Sequence, residues 1–255
     1  SILDIGSNDG TQLLQYQSLG YDTLGVESCT RIADMANASG VTTLNDFFNE
    51  ECAKKINRKF DVINASGVFF HLEELHSAAR AVKQCLDKRG VFVVQFLYMK
   101  SIVENLAFDQ IYHEHLLYYT LKTISRLLTR HGLEAFDAHL SPIHGGSMIL
   151  VAGHPGTRAR TSRLQTAIDQ EDAAGSNELA SYHAFAARVE KMKTDVLAFL
   201  DKAKAAGKTI FGFGAPVKGN TFLNYCGIGT QYLDYLVEKN PLRRWCRSHK
   251  HSGRC

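Results

Sequence analysis

No stretch of this chain is long and apolar enough to cross a bilayer as a helix. The longest apolar run, 91–99, is interrupted by Gln95 and reaches about half of the roughly 20 residues a span requires. No charged segment followed by an apolar one opens the sequence, which starts Ser1-Ile2-Leu3-Asp4-Ile5, so the expectation is a cytoplasmic protein with no membrane partner. The six cysteines, at 29, 52, 85, 226, 246 and 255, contain no C-x-x-C pair. That excludes a spaced zinc pattern and leaves buried or free thiols in a reducing compartment. A basic face is lacking too. The net charge of +3 comes from residues 242–255, where Arg243, Arg244, Arg247, Lys250 and Arg254 stand without an acid; elsewhere 26 acids face 24 bases. Nucleic acid is therefore not expected as a partner. Repeats and low-complexity tracts are missing as well.

What is present is globular composition, 45% hydrophobic and 22% charged, which supports a packed core. At about 150 residues per domain, 255 residues predict one full domain and a smaller partner. Short β-rich runs at 2–5, 22–26, 41–44, 60–65 and 90–97 alternate with amphipathic segments at 11–19, 30–39 and 73–88. This alternation predicts an α/β fold, a parallel sheet covered on both faces. Ligands of such sheets bind at the carboxyl ends of the strands, which singles out Gly6 to Gly10, Glu27, Asp46 and Asn64.

After residue 97 the rhythm changes. A polar and aromatic block, Phe108 to His115, precedes a helix at 121–130 closed by His131-Gly132. Two further strands, 134–140 and 147–151, are joined through His144-Gly145-Gly146, and 153–162 reads as a linker. A long helical pattern at 178–206 leads to a second, small βαβ-like unit: a run at 208–213, a glycine-rich turn, a helix at 218–225 and an apolar 232–237. The division expected is 1–153 and 163–241, with 242–255 as a tail without structure.

Asp4-Ile5-Gly6-Ser7-Asn8-Asp9-Gly10 stands where the first strand turns into the first helix. Glycines there let backbone approach a ligand, and the helix presents free N–H groups. Glu27, after the second strand, is placed to accept two ribose hydroxyls. A dinucleotide needs G-x-G-x-x-G, its second glycine against a pyrophosphate. Here that position is Asn8, followed by anionic Asp9. Such a loop suits the cationic sulfonium of S-adenosylmethionine better than two phosphates. The cofactor-binding set expected is Asp4, Gly6, Ser7, Asn8, Asp9, Gly10, Glu27, Asp46 and Asn64.

Four blocks then carry a specific likeness: Asp4–Gly10, the Phe108–His115 block with Tyr112-His113-Glu114-His115, the turn His144-Gly145-Gly146-Ser147, and Gly212 to Gly227 with Gly-Ala-Pro-Val-Lys-Gly-Asn-Thr. In this order they resemble the nucleotide-sugar C-methyltransferases, from Ser1 to about Pro241. The resemblance implies a class I methyltransferase-like doubly wound sheet that binds S-adenosylmethionine, followed by a smaller C-terminal α/β domain that helps hold a nucleoside-diphosphate keto sugar. Members usually carry an N-terminal module with a zinc held by four cysteines, which this sequence does not include. Residues 242–255 also depart from the family.

The implied reaction puts a methyl on the carbon beside a ketone, which requires a base for the acidic proton there. Histidine suits that task near neutral pH. The resemblance makes His115 the base, Tyr112 and Glu114 its neighbours, and His71 a second candidate. It places His144, Gly145, Gly146, Lys218, Asn220 and Asn224 at the substrate. Each has a plainer reading: a His-x-His pair can be a polar surface, His144 a turn residue, Lys218 a solvated bystander. No resident metal is expected, since His113 and His115 lack i,i+4 spacing and the tail's Cys246, His249, His251 and Cys255 fit no strong zinc pattern. Two rivals remain: a truncated chain that binds S-adenosylmethionine or a sugar nucleotide without catalysis, and a nicotinamide-linked dehydrogenase using the Gly212–Gly219 turn.

Overall fold

The computed structural model describes residues 1–214 and 216–238. They form two units: Ser1–Asn105 with Glu114–Ser181, and Leu106–His113 with the chain from Tyr182 on. The expected tail, 242–255, and the four metal-capable residues within it lie outside the described residues.

The first unit is built on a seven-stranded sheet of order β3-β2-β1-β4-β5-β7-β6. Its strands are β1 (Ile2–Ile5), β2 (Thr23–Glu27), β3 (Thr43–Asn45), β4 (Phe60–Ser66), β5 (Leu86–Leu97), β6 (Glu134–Ser141) and β7 (Ser147–Gly153). The first five are parallel, Asp4 lying opposite both Gly25 and Asn64. These are the five strands expected to be parallel; β7, one of the two further strands, runs antiparallel to β5 and β6, which makes the seven-stranded sheet mixed. The cause is local. The turn between β6 and β7 spans a few residues, and a short connection joins only antiparallel strands.

Helices α1 (Thr11–Ser18), α2 (Thr30–Ala38), α3 (Glu50–Ile56), α4 (Leu75–Cys85), α5 (Met99–Glu104), α6 (Leu121–Arg130) and α7 (Ser162–Ala173) complete this unit. Leu13 of α1 and Ala36 of α2 pack with Ile2 and Val41 on the sheet. Val41, expected in the third strand, thus serves as a core residue before a shorter β3. Phe92, Val94 and Phe96 of β5 are fully buried, each removal from water stabilising by about 1.5–3 kcal/mol. α6 is capped by Thr120, whose hydroxyl accepts from Thr123 N, and it buries Leu121, Ile124, Leu127 and Leu128, one helical face.

α7 belongs to this first unit and not to the second domain expected from residue 163 on. Apolar periodicity missed it because its buried residues are only Leu164 and a carboxylate, Glu171.

In the second unit the long α8 (Leu179–Ala205) is followed by β8 (Phe211–Phe213), α9 (Val217–Cys226) and β9 (Tyr235–Val237), with β8 and β9 parallel. Leu200, Cys226 and Ile228 form its core, with Val196, Ile210 and Phe222 packed around them. Phe108, from the separate segment Leu106–His113, lays its ring 4.9 Å from that of Tyr225. No helix among the described residues is long and apolar enough to cross a membrane.

Candidate active site

The sheet order reverses between β1 and β4, since β2 and β3 extend to one side of β1 and β4, β5 to the other. Such a switch point opens a crevice at the strands' carboxyl ends. Asp4 and Asn64 face each other there: Asn64 Nδ2 donates to Asp4 Oδ1 at 2.6 Å, and Ser66 Oγ donates to Asn64 Oδ1 at 3.2 Å. Asp4 is 3% exposed. Burial raises its pKa to about 6 against the pull of the Asn64 hydrogen bond.

A raised carboxyl pKa stabilises the fold fully below about 4, and that contribution is lost as pH rises through about 6. This group alone is expected to make the protein up to about 3 kcal/mol less stable at pH 8 than at pH 4. Urea unfolding of the wild type and of Asp4→Asn at both pH values checks this, the variant showing the flatter profile.

The loop after β1 turns through left-handed backbone at Gly6 (φ 69°), Asn8 (φ 53°) and Gly10 (φ 80°). A Cβ on Gly6 would stand 2.4 Å from Val68 Cγ2, on the loop that follows β4. Ser7 tucks its hydroxyl over Gly25, where a Cβ would come within 2.4 Å of it. That Ser7 Oγ is buried and has no hydrogen-bond partner among the described residues. Glu27 ties the loop to the end of β2, accepting from Asn8 N at 3.1 Å and from Cys29 N at 2.8 Å. Each carboxylate oxygen keeps a further lone pair for a hydroxyl donor. The left-handed turns, the unspent Ser7 hydroxyl and Glu27 fit an adenosine-bearing sulfonium cofactor: Glu27 would take the ribose, and the loop backbone would lie against the rest.

The other two loop acids are engaged locally. Asp9 is exposed and accepts from Thr11 N at 3.1 Å at the start of α1, and hydrogen bonds from Thr11 hold its carboxyl below the usual range. Asp46 pairs with Lys55 at 2.6 Å and accepts from Phe47 N.

The loop after β4 carries Phe69, Phe70 and His71, and the segment 114–119 is laid across it. Leu116 N and Leu117 N donate to Phe70 O at 2.9 and 3.2 Å, and Tyr119 OH donates to Phe69 O at 2.9 Å. His71 Nδ1 lies 2.6 Å from Glu114 O. A carbonyl oxygen only accepts, so the proton sits on Nδ1 and the neutral ring keeps its lone pair on Nε2. The main-chain oxygen of Glu114 thus orients the His71 imidazole. His115 is 8% exposed; its ring stands edge-on to Phe70 at 4.8 Å and to His71 at 5.1 Å.

The His144 turn lies at the same sheet edge, Ser147 being paired with Leu97 at the end of β5. His144 takes left-handed backbone (φ 54°), Asn105 Nδ2 donates to Gly145 O at 2.9 Å, and Gly146 O accepts from Tyr98 N. Tyr112 belongs to the second unit, as do Lys218, Asn220 and Asn224 on α9. Lys218 is half-buried; burial lowers its pKa, opposed by Asp109 of the same unit. Asn220 and Asn224 are exposed.

Gln95 escaped the sequence reading as a site residue. It pairs with Ser66 at the carboxyl end of β5, is 8% exposed, and its Nε2 has no hydrogen-bond partner among the described residues. The signal was present as the single polar interruption of the longest apolar run.

The seven-stranded sheet with its reversed β6–β7 hairpin and the glycine loop after β1 define a class I methyltransferase fold. The family model described as "Methyltransferase domain" matches residues 1–137, more than half of the chain, and the protein belongs to that family. A second model, "C-methyltransferase C-terminal domain", matches residues 142–248. The C-methyltransferase NovU of Streptomyces niveus is 29% identical over 248 residues, 95% of this chain and 59% of that protein. The chain therefore spans about three fifths of the length of this curated relative.

Among solved structures, an S-adenosylmethionine-dependent methyltransferase from Clostridium acetobutylicum aligns over 61% of this chain and 84% of its own, with TM-score 0.49 and 14% identity. The CcbJ methyltransferase from Streptomyces caelestis aligns over 60% and 82%, with TM-score 0.48 and 16% identity.

Proposed function

We propose that this protein is an S-adenosylmethionine-dependent C-methyltransferase that methylates the carbon beside the ketone of a nucleoside-diphosphate keto-deoxysugar. One observation carries the reading. The glycine loop follows β1, the His71 loop with His115 packed on it follows the adjacent β4, and the two loops meet at Gly6 and Val68. A methyl donor and a base held on those loops share one crevice.

The bound cofactor supplies an electrophilic methyl group. The chain supplies the rest. The His115 imidazole takes the proton from the carbon beside the ketone, and the C–H electron pair moves into an enolate. His71, with Nδ1 committed to Glu114 O, offers Nε2 as a second acceptor. The first unit holds the cofactor. In the second, Lys218 is the cation for the diphosphate, with Asn220 and Asn224 beside it on α9. His144 and its two glycines bring backbone close to the sugar. The family match at 142–248 and the likeness to NovU support the carbon acceptor.

Incubation with methyl-labelled S-adenosylmethionine and a panel of nucleoside-diphosphate keto-deoxysugars tests this. Label on a sugar carbon is the expected result. Label on oxygen or nitrogen overturns the mechanism, and tight ligand binding in calorimetry without single-turnover transfer makes the chain a binding protein instead.

A further inference from the structure

Glu171 is the most deeply buried acid of the first unit, 1% exposed, and the mechanism above does not use it. Its Oε2 accepts from Tyr98 OH at 2.9 Å and from Leu121 N at 2.6 Å; its Oε1 accepts from Lys122 N at 3.0 Å and from Asn177 Nδ2 at 3.1 Å. All four partners are donors, the pattern an ionised carboxylate takes. Two of them are the first N–H groups of α6, which lack partners within the helix and carry the positive end of its dipole.

The reciprocal Thr120–Thr123 cap serves the N–H groups of Thr120 and Thr123, and Glu171 completes it at Leu121 and Lys122, but capping is not its only contact. What Glu171 adds is a link from α6 to Tyr98, at the end of β5. Burial first, and the carboxylate second, hold the Tyr98 phenol far above its usual pKa, so its proton stays available to donate. Tyr98 and Tyr119 bridge in parallel, and Met99 N donates to Tyr119 O at 2.9 Å. Thr120 Oγ1 donates to Asn177 Oδ1 at 2.7 Å. The strap 114–122 is thereby pinned at its far end by α7 and at its near end by the carbonyls of Phe69 and Phe70.

We infer that Glu171 is a positioning residue: by holding Tyr98 and the start of α6 together it sets the strap on which His115 meets Phe70 and His71. The inference rests on the reading of His115 as the base. Glu171→Gln keeps the shape but turns an NH₂ toward donors, against Leu121 N on one side or Lys122 N and Asn177 on the other. Among the described residues the hydrogen bonds of the glycine loop named above run to Glu27 and within the loop and α1, not to this network, so cofactor affinity serves as an internal control.

The experiment measures steady-state methyl transfer with the keto-sugar panel and records ¹⁵N-imidazole NMR on the same folded protein. For Glu171→Gln a kcat at least tenfold lower is expected, with KM for S-adenosylmethionine within twofold. The His71 and His115 signals should move while those of His154 and His183 stay. Unchanged kcat with unmoved His71 and His115 signals overturns the inference. Should that variant fail to fold, Tyr98→Phe removes a single donor: a threefold or larger fall in kcat at constant KM supports the inference, and an unchanged kcat overturns it. If the wild type transfers no methyl, the base reading fails, and the NMR arm alone decides whether Glu171 places the two rings.

Discussion

His115→Asn is expected to lower methyl transfer by about 10²–10⁴-fold, the range a positioned base contributes, with cofactor affinity unchanged. Asparagine fills a similar volume and keeps hydrogen-bonding capacity but takes no proton near neutral pH. The ring it replaces is nearly enclosed, edge-on to Phe70 and His71, and the cofactor loop lies after a different strand. The assay is single-turnover transfer of labelled methyl beside calorimetric titration with S-adenosylmethionine. A variant that retains the wild-type rate removes His115 as the base and passes the role to His71. A variant that loses cofactor affinity shows instead that the ring supports the crevice as a whole.

Gly6→Ala is the second large effect, and it acts on the other loop. Two penalties combine there. Left-handed backbone costs a residue with a Cβ about 1–2 kcal/mol, and Gly6 has φ 69°. The new methyl also lands 2.4 Å from Val68 Cγ2, an overpacking that costs about 1–3 kcal/mol. Together they are expected to lower stability by roughly 2–5 kcal/mol and cofactor affinity by more than tenfold, since the loop shifts away from the strand ends it lines. Urea unfolding and calorimetry measure the two. A shortening substitution, Val68→Ala in the same chain, is expected to restore part of the stability by relieving the clash while leaving the backbone strain. No recovery in the pair would show that the close approach to Val68 is not what requires glycine there.

The sheet and its carboxyl-end crevice were legible because five short β-rich runs alternate with amphipathic segments, a pattern that apolar periodicity records directly. Glu27 and Asn64 were singled out by position, and they stand at the end of β2 and toward the end of β4. The runs at 134–140 and 147–151 look the same in either sense, and the short connection between them is what sets their opposite directions. α7 escaped because a buried charge replaces the apolar stripe. Glu171 itself was invisible for the same reason: its partners lie at 98, 121, 122 and 177, and only folding brings them to one carboxylate. In the Tyr-His-Glu-His block the motif gave residue identities but not the division of the structure, which assigns Tyr112 and His113 to one unit and Glu114 and His115 to the other.

The oxygen that receives the His71 proton is Glu114's peptide carbonyl, a group shared by all twenty amino acids. Exchanging the side chain at 114 therefore leaves the imidazole's tautomer encoded by the course of the chain. Drift at that codon spares the ring, whereas a one-residue insertion between Phe70 and His71, which preserves every side chain, erases it. The two histidines thus answer to different kinds of genetic change: one is vulnerable at its own letter and at the single acid that anchors its strap, the other also to slips in chain length.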